Sequence, residues 1–225
     1  MVNLFYRRIY NLKNNEKKVI SFFISFYIIG LAGLIIPYSK KFFIKLTPLA
    51  LMLSFLAVMF FHRSKPDKKT IMVFSGIFVT GFLIEMIGVN TGTIFGDYYY
   101  GKGLGPKLWN TPLLIGINWL LLVYLSSNII SRTGFISILW APMAATVMLI
   151  YDLLLEQVAP QFDMWYWYNK TVPLKNYIAW FMIALILLII IKRFKINTGN
   201  KIAPVILVCH TVFFIILIAF YNITL

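Results

Sequence analysis

Seven long apolar stretches, separated by short polar loops, constrain this 225-residue chain more than any other feature. They cover roughly residues 19–37, 44–62, 70–89, 111–130, 135–158, 172–191 and 203–221. About 20 apolar residues in a helix cross the hydrocarbon core of a bilayer. Open sheet edges cannot face lipid, and the stretches lack the alternation typical of a membrane barrel. The sequence therefore predicts an all-α, polytopic transmembrane helical bundle of about seven helices.

The composition supports a membrane protein and excludes other classes. Charged residues make up 12% of the chain, whereas a soluble domain carries about 25%. The net charge of +14 comes from short basic clusters between the apolar stretches, where Lys and Arg set membrane topology. This placement argues against nucleic-acid binding. Because we find no internal repeat and no low-complexity linker, we interpret residues 1–225 as a single integral-membrane domain.

The basic clusters also predict an orientation. The amino-terminal tail and the second, fourth and sixth loops together hold fourteen Lys and Arg residues, and the other loops hold seven. The amino terminus is therefore expected in the cytoplasm and the carboxyl terminus outside, in a bacterial cytoplasmic membrane. No small-residue cleavage site follows the first apolar stretch, so we expect a retained helix instead of a removed signal.

Five of the seven acidic residues lie near the ends of apolar stretches on one face of the predicted bundle. They are Glu85, Asp97, Asp152, Glu156 and Asp163. Asp152 and Glu156 are four residues apart and therefore share a helix face. A carboxyl group at the rim of an apolar slab is costly, so it is expected to be paired or functional. Asp97 and Asp163 lie in loops, where simple solvation is an alternative explanation. For the deeper acids, the alternative is a structural ion pair with Lys102 or Lys107.

Amides and aromatic side chains collect on the same predicted face. They are Asn118, Trp119, Asn176 and Trp180 near helix ends, and Tyr98, Tyr100, Trp165 and Trp167 in the third and fifth loops. These two loops are separated by two crossings, so they share a membrane face in either orientation. We predict that the acids, amides and aromatic rings form one pocket that opens to lipid. The alternatives are interfacial solvation for the aromatic residues and helix pairing for the amides.

The two histidines argue against a metal site. His62 and His210 are expected on or near the cytoplasmic half of the membrane, away from the acids. A zinc or di-iron site would need histidines close to carboxylates. We therefore predict no metal and no cofactor.

Two sets of motifs carry a more specific signal. The first set covers residues 85–92, 95–100, 104–107 and 112–119, and the second covers 152–156, 165–167 and 173–180. In order and spacing they resemble the integral-membrane carotenoid biosynthesis protein family, which includes carotenoid 1,2-hydratases of the bisanhydrobacterioruberin and γ-carotene hydratase type. The resemblance extends from about residue 80 to residue 181.

The resemblance implies a carotenoid or other isoprenoid lipid as substrate, within membrane lipid. It implies cofactor-independent hydration of the terminal C1=C2 double bond of an acyclic end group to a tertiary alcohol. The acid that protonates the alkene is then Glu85 or Asp152, since a carboxyl group in an apolar site keeps its proton near neutral pH. Glu156, Asn118 and Asn176 are candidates to hold the water. Trp119, Trp165, Trp167 and Trp180 are candidates to line the cationic end.

Other functions remain open at this point. A carotenoid cyclase, or another isoprenoid-modifying membrane enzyme, starts with the same protonation and differs in what captures the cation. A small transporter or a structural membrane protein is a further alternative, although transporters favour midplane acids and paired repeats with broken helices. The sequence leaves the oligomeric state undetermined.

Overall fold

The computed structural model describes residues 15–64, 67–134 and 136–221, and in these ranges the chain forms a bundle of eight helices. They are α1 (Glu16–Ile35), α2 (Pro37–Lys45), α3 (Thr47–Phe60), α4 (Lys68–Thr91), α5 (Leu114–Ile130), α6 (Ser137–Val158), α7 (Leu174–Arg193) and α8 (Ala203–Tyr221). A short 3-10 helix, Ala159–Phe162, extends α6. The predicted all-α polytopic bundle is confirmed. The basic tail, as far as residue 14, lies outside the described residues.

Two of the seven predicted spans are irregular. Helices α1, α4, α6, α7 and α8 are each long and apolar enough to cross a membrane. The second predicted stretch is a bent pair instead, because α2 and α3 meet at an angle of 53°. Pro37 begins α2 and Pro48 lies in the first turn of α3, where a missing backbone N–H is tolerated. The fourth stretch, α5, is shorter, with 17 residues.

Helix α5 is the centre of the bundle. All of its residues except Ile117 and Ile129 are buried, and it contacts α3, α4, α6, α7 and α8. It packs tightly against α4, where a Cβ atom added to Gly81 would lie 2.6 Å from the Cβ atom of Trp119. Small residues allow such close helix packing in membranes. The approach places Trp119 beside the end of α4 that carries Glu85.

The loops that follow α4 and α6 form a small folded cap, comprising residues 92–113 and 159–173. Strand β1 (Tyr98–Tyr100) pairs antiparallel with β4 (Trp165–Trp167), and β2 (Lys107–Leu108) pairs with β3 (Thr111–Pro112). The two loops therefore share one face, as predicted, although the strands themselves were not predicted. We call this side of the bundle the capped face.

Glycines allow the two halves of the cap to touch. A Cβ atom on Gly103 would lie 2.2 Å from the carbonyl oxygen of Phe162, and one on Gly101 would lie 2.2 Å from that of Asp163. No side chain fits at such distances, so only glycine permits this contact. The Asp163 carboxylate accepts hydrogen bonds from the Lys102 backbone N–H at 3.1 Å and the Tyr166 hydroxyl at 3.1 Å. Asp163 is thus part of the cap, whereas Asp97 is exposed.

A second polar cluster lies at the opposite face, where the loop between α7 and α8 meets the end of α5. The Asn128 side-chain NH2 donates to the carbonyl oxygen of Thr198 at 2.6 Å, and the Asn200 NH2 donates to that of Val58 at 2.7 Å. The Asn200 side-chain oxygen accepts from the backbone N–H of Ile202 at 2.8 Å. We call this cluster the opposite-face network. It ties the start of α8 to α3 and α5.

Candidate active site

Three buried carboxyl groups meet under the cap. Glu85 on α4 and Asp152 on α6 each lie six residues before the last residue of their helix, or about 9 Å at 1.5 Å per residue. Glu156 follows Asp152 by one turn. Glu85 lies deeper than the sequence indicated, because α4 continues to Thr91. All three carboxyls are buried and line one small cavity.

This cavity brings the predicted site residues together. All of the predicted site residues except Trp119 line the cavity, together with Phe95 and Ile115. The predicted residues that line it are Glu85, Tyr98, Tyr100, Asn118, Asp152, Glu156, Trp165, Trp167, Asn176 and Trp180. No Lys, Arg or His is among these lining residues within the described chain. The suggested pairing with Lys102 or Lys107 is not formed there. Lys107 Nζ instead donates to the backbone oxygen of Tyr100.

Glu85 accepts three hydrogen bonds. The hydroxyl groups of Tyr98 and Tyr100 each donate to Oε2 at 2.7 Å, and the indole N–H of Trp119 donates to Oε1 at 3.0 Å. Burial, and then the neighbouring Glu85 charge, raise the pKa of both tyrosines well above the usual value. Both therefore remain O–H donors at neutral pH. The three donors hold the carboxyl of Glu85 in one orientation.

Glu156 is held from the other strand of the cap. The indole N–H groups of Trp165 and Trp167 donate to its Oε2 at 2.9 and 2.8 Å. Alternate residues of a strand project to the same side, and Trp165 pairs with Tyr100 while Trp167 pairs with Tyr98. One side of the β1–β4 ribbon thus supplies four donors to two carboxyls.

These four aromatic residues were predicted to contact substrate, and their hydrogen bonds to the acids were not predicted. The signal that was available is the period-two spacing of Tyr98 and Tyr100 and of Trp165 and Trp167. That spacing is typical of a strand with one buried side. In the structure, the hydroxyl groups of the two tyrosines and the indole N–H groups of the two tryptophans face a carboxyl. Tyr99, which lies between the two tyrosines and projects to the other side of the strand, is exposed.

Asp152 is less completely bonded than the two glutamates. Asn176 Nδ2 donates to Asp152 Oδ2 at 3.2 Å and lies 3.5 Å from Glu156 Oε1. Oδ1 of Asp152 is buried and accepts no hydrogen bond from the described residues. The side chain of Asn118, also buried, forms none within the same part of the chain. These two polar groups are available to a small ligand.

The cavity has the size of one water molecule. Its volume is about 20 Å³, and a water needs roughly 10–15 Å³ together with polar partners. Asp152, Asn118 and Asn176 supply such partners. On the α7 side, Trp180 stacks on Trp119 with ring centroids 4.1 Å apart. Trp119 itself lies behind Trp180 and contacts the site through Glu85.

A larger apolar cavity adjoins the first one. Its volume is about 320 Å³, at the lower end of the range for ligand sites. Ile115, Asn118 and Trp165 line both cavities. The other walls come from α1, the α2–α3 bend, α5, α6, α8 and the cap, and most of them are apolar. This cavity was not predicted from the sequence, because its walls include terminal helices that carry no motif.

His210 lies within α8 and lines the large cavity together with Tyr151, whereas the three carboxyls line the small one. Among the described residues, no group of three or more His, Cys, Asp and Glu side chains is arranged to hold a metal ion.

Comparison with known proteins agrees with the resemblance. A sequence model of the family described as carotenoid biosynthesis protein matches residues 46–225. Bisanhydrobacterioruberin hydratase from Haloarcula japonica is 28% identical over 129 residues, which cover 52% of this chain and 42% of the relative. The match thus spans less than half the length of that protein. No solved structure matches this chain significantly. The chain belongs to the carotenoid biosynthesis protein family.

Proposed function

We propose that this protein hydrates the terminal C1=C2 double bond of an acyclic carotenoid end group, forming a tertiary alcohol. The observation that carries the proposal is the junction of two cavities. A water-sized cavity bordered by three carboxyls adjoins an apolar cavity of about 320 Å³, and Asn118 lines both. One space suits water and an acid, and the other suits a hydrocarbon end group. The reaction requires only a proton and water.

We assign the proton donor to Asp152. A general acid needs a carboxyl oxygen free to carry a proton toward the substrate. Both oxygens of Glu85 accept hydrogen bonds. Both oxygens of Glu156 also have a donor, since Oε2 accepts two hydrogen bonds and Oε1 accepts a long one from Asn176 at 3.5 Å. Oδ1 of Asp152 accepts none from the described residues. Asp152 transfers its proton to C2, and the electron pair of the C1=C2 bond forms the new C–H bond, leaving a tertiary cation at C1.

Fixed charge and aromatic faces stabilise this cation. Glu85 is held by three donors and therefore presents preorganised acceptor oxygens to the site. An aromatic face over a cation contributes about 0.5–2 kcal/mol, and Trp180, Trp165 and Trp167 line the cavity. The stacked partner Trp119 supports Trp180 from behind.

Water captures the cation from the small cavity. Its oxygen bonds to C1, and Glu156 accepts the proton that the water loses. Asn176 bridges Glu156 and Asp152, which lie one turn apart on α6. Return of the proton from Glu156 to Asp152 completes the cycle, so that one water is added and no proton is consumed.

The depth of the site suits a membrane substrate. A carotenoid of forty carbons is about as long as the hydrocarbon core is thick, roughly 30 Å. Its end group therefore reaches a site about 9 Å below the helix ends and close to water. The excess of Lys and Arg on the other face supports an outward orientation of the cap. A cytoplasmic reporter fused after the last residue should be inactive, and an active one would reverse this orientation.

Expression in a lycopene-producing bacterium tests the function. We expect extracted pigment to gain the mass of one water per modified end, and an Asp152→Asn variant at equal membrane abundance to leave lycopene unchanged. A product of unchanged mass but altered spectrum would mean that an internal alkene captures the cation, as in a cyclase. Unchanged pigments with several acyclic and monocyclic substrates would favour a transporter or structural role and reject the proposal.

A further inference from the structure

A second buried polar cluster lines the large cavity, and the hydration mechanism does not use it. Tyr27 from α1, Tyr151 from α6 and His210 from α8 all line this cavity. His210 Nε2 is hydrogen-bonded to the Tyr27 hydroxyl, and His210 Nδ1 lies 3.0 Å from the Tyr151 hydroxyl. The Tyr27 hydroxyl is also 2.6 Å from Ser54 Oγ. A wall that is otherwise apolar thus contains a chain of hydrogen bonds.

The donor and the acceptor in each of these hydrogen bonds follow from the bond that Ser54 makes. Ser54 Oγ donates its one proton to the carbonyl oxygen of Ala50 at 2.8 Å, so it accepts from Tyr27. Because the Tyr27 proton is used in that bond, Tyr27 accepts from His210 Nε2–H. A neutral imidazole has one N–H, so Nδ1 is an acceptor and Tyr151 donates to it.

This series of hydrogen bonds therefore ends at an acceptor that receives no donor from the described residues. The Tyr151 oxygen gives away its proton and accepts none from the described residues. Every proton in the chain is already used, so the cluster can accept one more hydrogen bond and cannot donate one. Buried polar groups tend to find partners, and Tyr151 is one of the residues that line the large cavity.

We propose that Tyr151 is the acceptor of a hydroxyl-binding subsite, and that the preferred substrate is an isoprenoid with a hydroxyl group in the same end group as the reacting double bond. This rests on the proposed function for the reacting bond, but it concerns binding alone. A keto group is not bound, because it would require a donor. A hydrocarbon end group fills the cavity without satisfying Tyr151 and binds more weakly.

Binding of three pigments tests the subsite. The protein is purified from membranes containing lycopene, an acyclic carotenoid with a secondary hydroxyl in its end group, or the corresponding ketone, and retained pigment is measured per mole of protein. One hydrogen bond corresponds to about fivefold in retention. We expect the hydroxylated pigment to be retained about fivefold better than the other two. Equal retention of all three by the wild type would overturn the proposal without any variant.

The variant Tyr151→Phe separates recognition from helix pairing. It should lower retention of the hydroxylated pigment to the level of lycopene, with lycopene retention unchanged. Tyr124→Phe is the matched control, since Tyr124 is a buried tyrosine bonded to His62 Nδ1 at 2.8 Å and lines neither cavity. Equal loss of all pigments in Tyr151→Phe would indicate a purely structural tyrosine. Selective retention without any gain in mass would keep the subsite and reject hydration.

Discussion

The two polar clusters at the opposite ends of α5 are both buried. Each holds one buried side-chain oxygen that accepts no hydrogen bond from the described residues, Asn128 Oδ1 in the opposite-face network and Asp152 Oδ1 under the cap. They differ in the partners of their other hydrogen bonds and in whether a cavity adjoins them. In the opposite-face network the Asn200 side chain donates to Val58 and accepts from Ile202, which are backbone partners. In the cluster under the cap, side chains bond to carboxyls, and one carboxyl oxygen of Asp152 accepts none from the described residues. The named residues of the opposite-face network line neither cavity, whereas the cluster under the cap borders both.

From this difference we infer a structural role for one cluster and propose a chemical role for the other. Because the Asn200 side chain bonds to backbone groups of α3 and of the start of α8, the opposite-face network mainly positions α8 against α3 and α5. Carboxyls in a membrane protein without a nearby cation are costly, and three of them in one cavity are not required for packing. Buried polarity alone therefore does not identify a site. We infer a chemical role only where an incompletely bonded group also borders a cavity.

The largest expected effect is on turnover by Asp152→Asn. Removing a general acid lowers the rate by about 10²–10⁴-fold, whereas amide and carboxyl have nearly the same shape, so folding should be retained. Pigment conversion in membranes, normalised to protein abundance, measures the effect. Asp97→Asn is the control, because Asp97 is an exposed acid on the same face. Comparable activity of both variants would remove Asp152 from the chemistry.

A smaller effect, on stability, is expected for Asn200→Ala. The substitution removes hydrogen bonds from both the side-chain NH2 and the oxygen of a buried amide, at a cost of about 3 kcal/mol. Thermal unfolding in detergent should show a lower midpoint. Conversion per folded protein should not change, since Asn200 lines neither cavity. Loss of conversion with normal stability would contradict the division between the two clusters.

The smallest effect is expected at the β1–β4 ribbon. Tyr98→Phe removes one of three donors to Glu85, and a hydrogen bond to a charged group is worth about 1.5–3 kcal/mol. We therefore expect roughly tenfold slower conversion at the lower end of that range. Tyr99→Phe is matched in sequence and chemistry but faces outward, and should convert normally. Equal rates for the two variants would show that the ribbon only covers the site.

Much of the site was predictable because membrane helices restrict where side chains can lie. The spacing of Asp152 and Glu156 placed both on one face of a helix, and two crossings placed loops 92–113 and 159–173 on one side of the membrane. The roles within the site were less predictable. Trp165 and Trp167 were expected to face a cation, but they also donate to Glu156, because their loop forms a strand.

The sequence by itself determined the class of fold, the membrane setting and the set of residues near the capped face, since apolar length and helical period act locally along the chain. Only the tertiary structure decided which carboxyl oxygen has no donor among the described residues, and that a large cavity adjoins the acids. Both depend on contacts between α1, α3, α5, α6 and α8, which are far apart in sequence. Hydrogen-bond completion and empty volume are properties of packed surfaces, and no single segment encodes them.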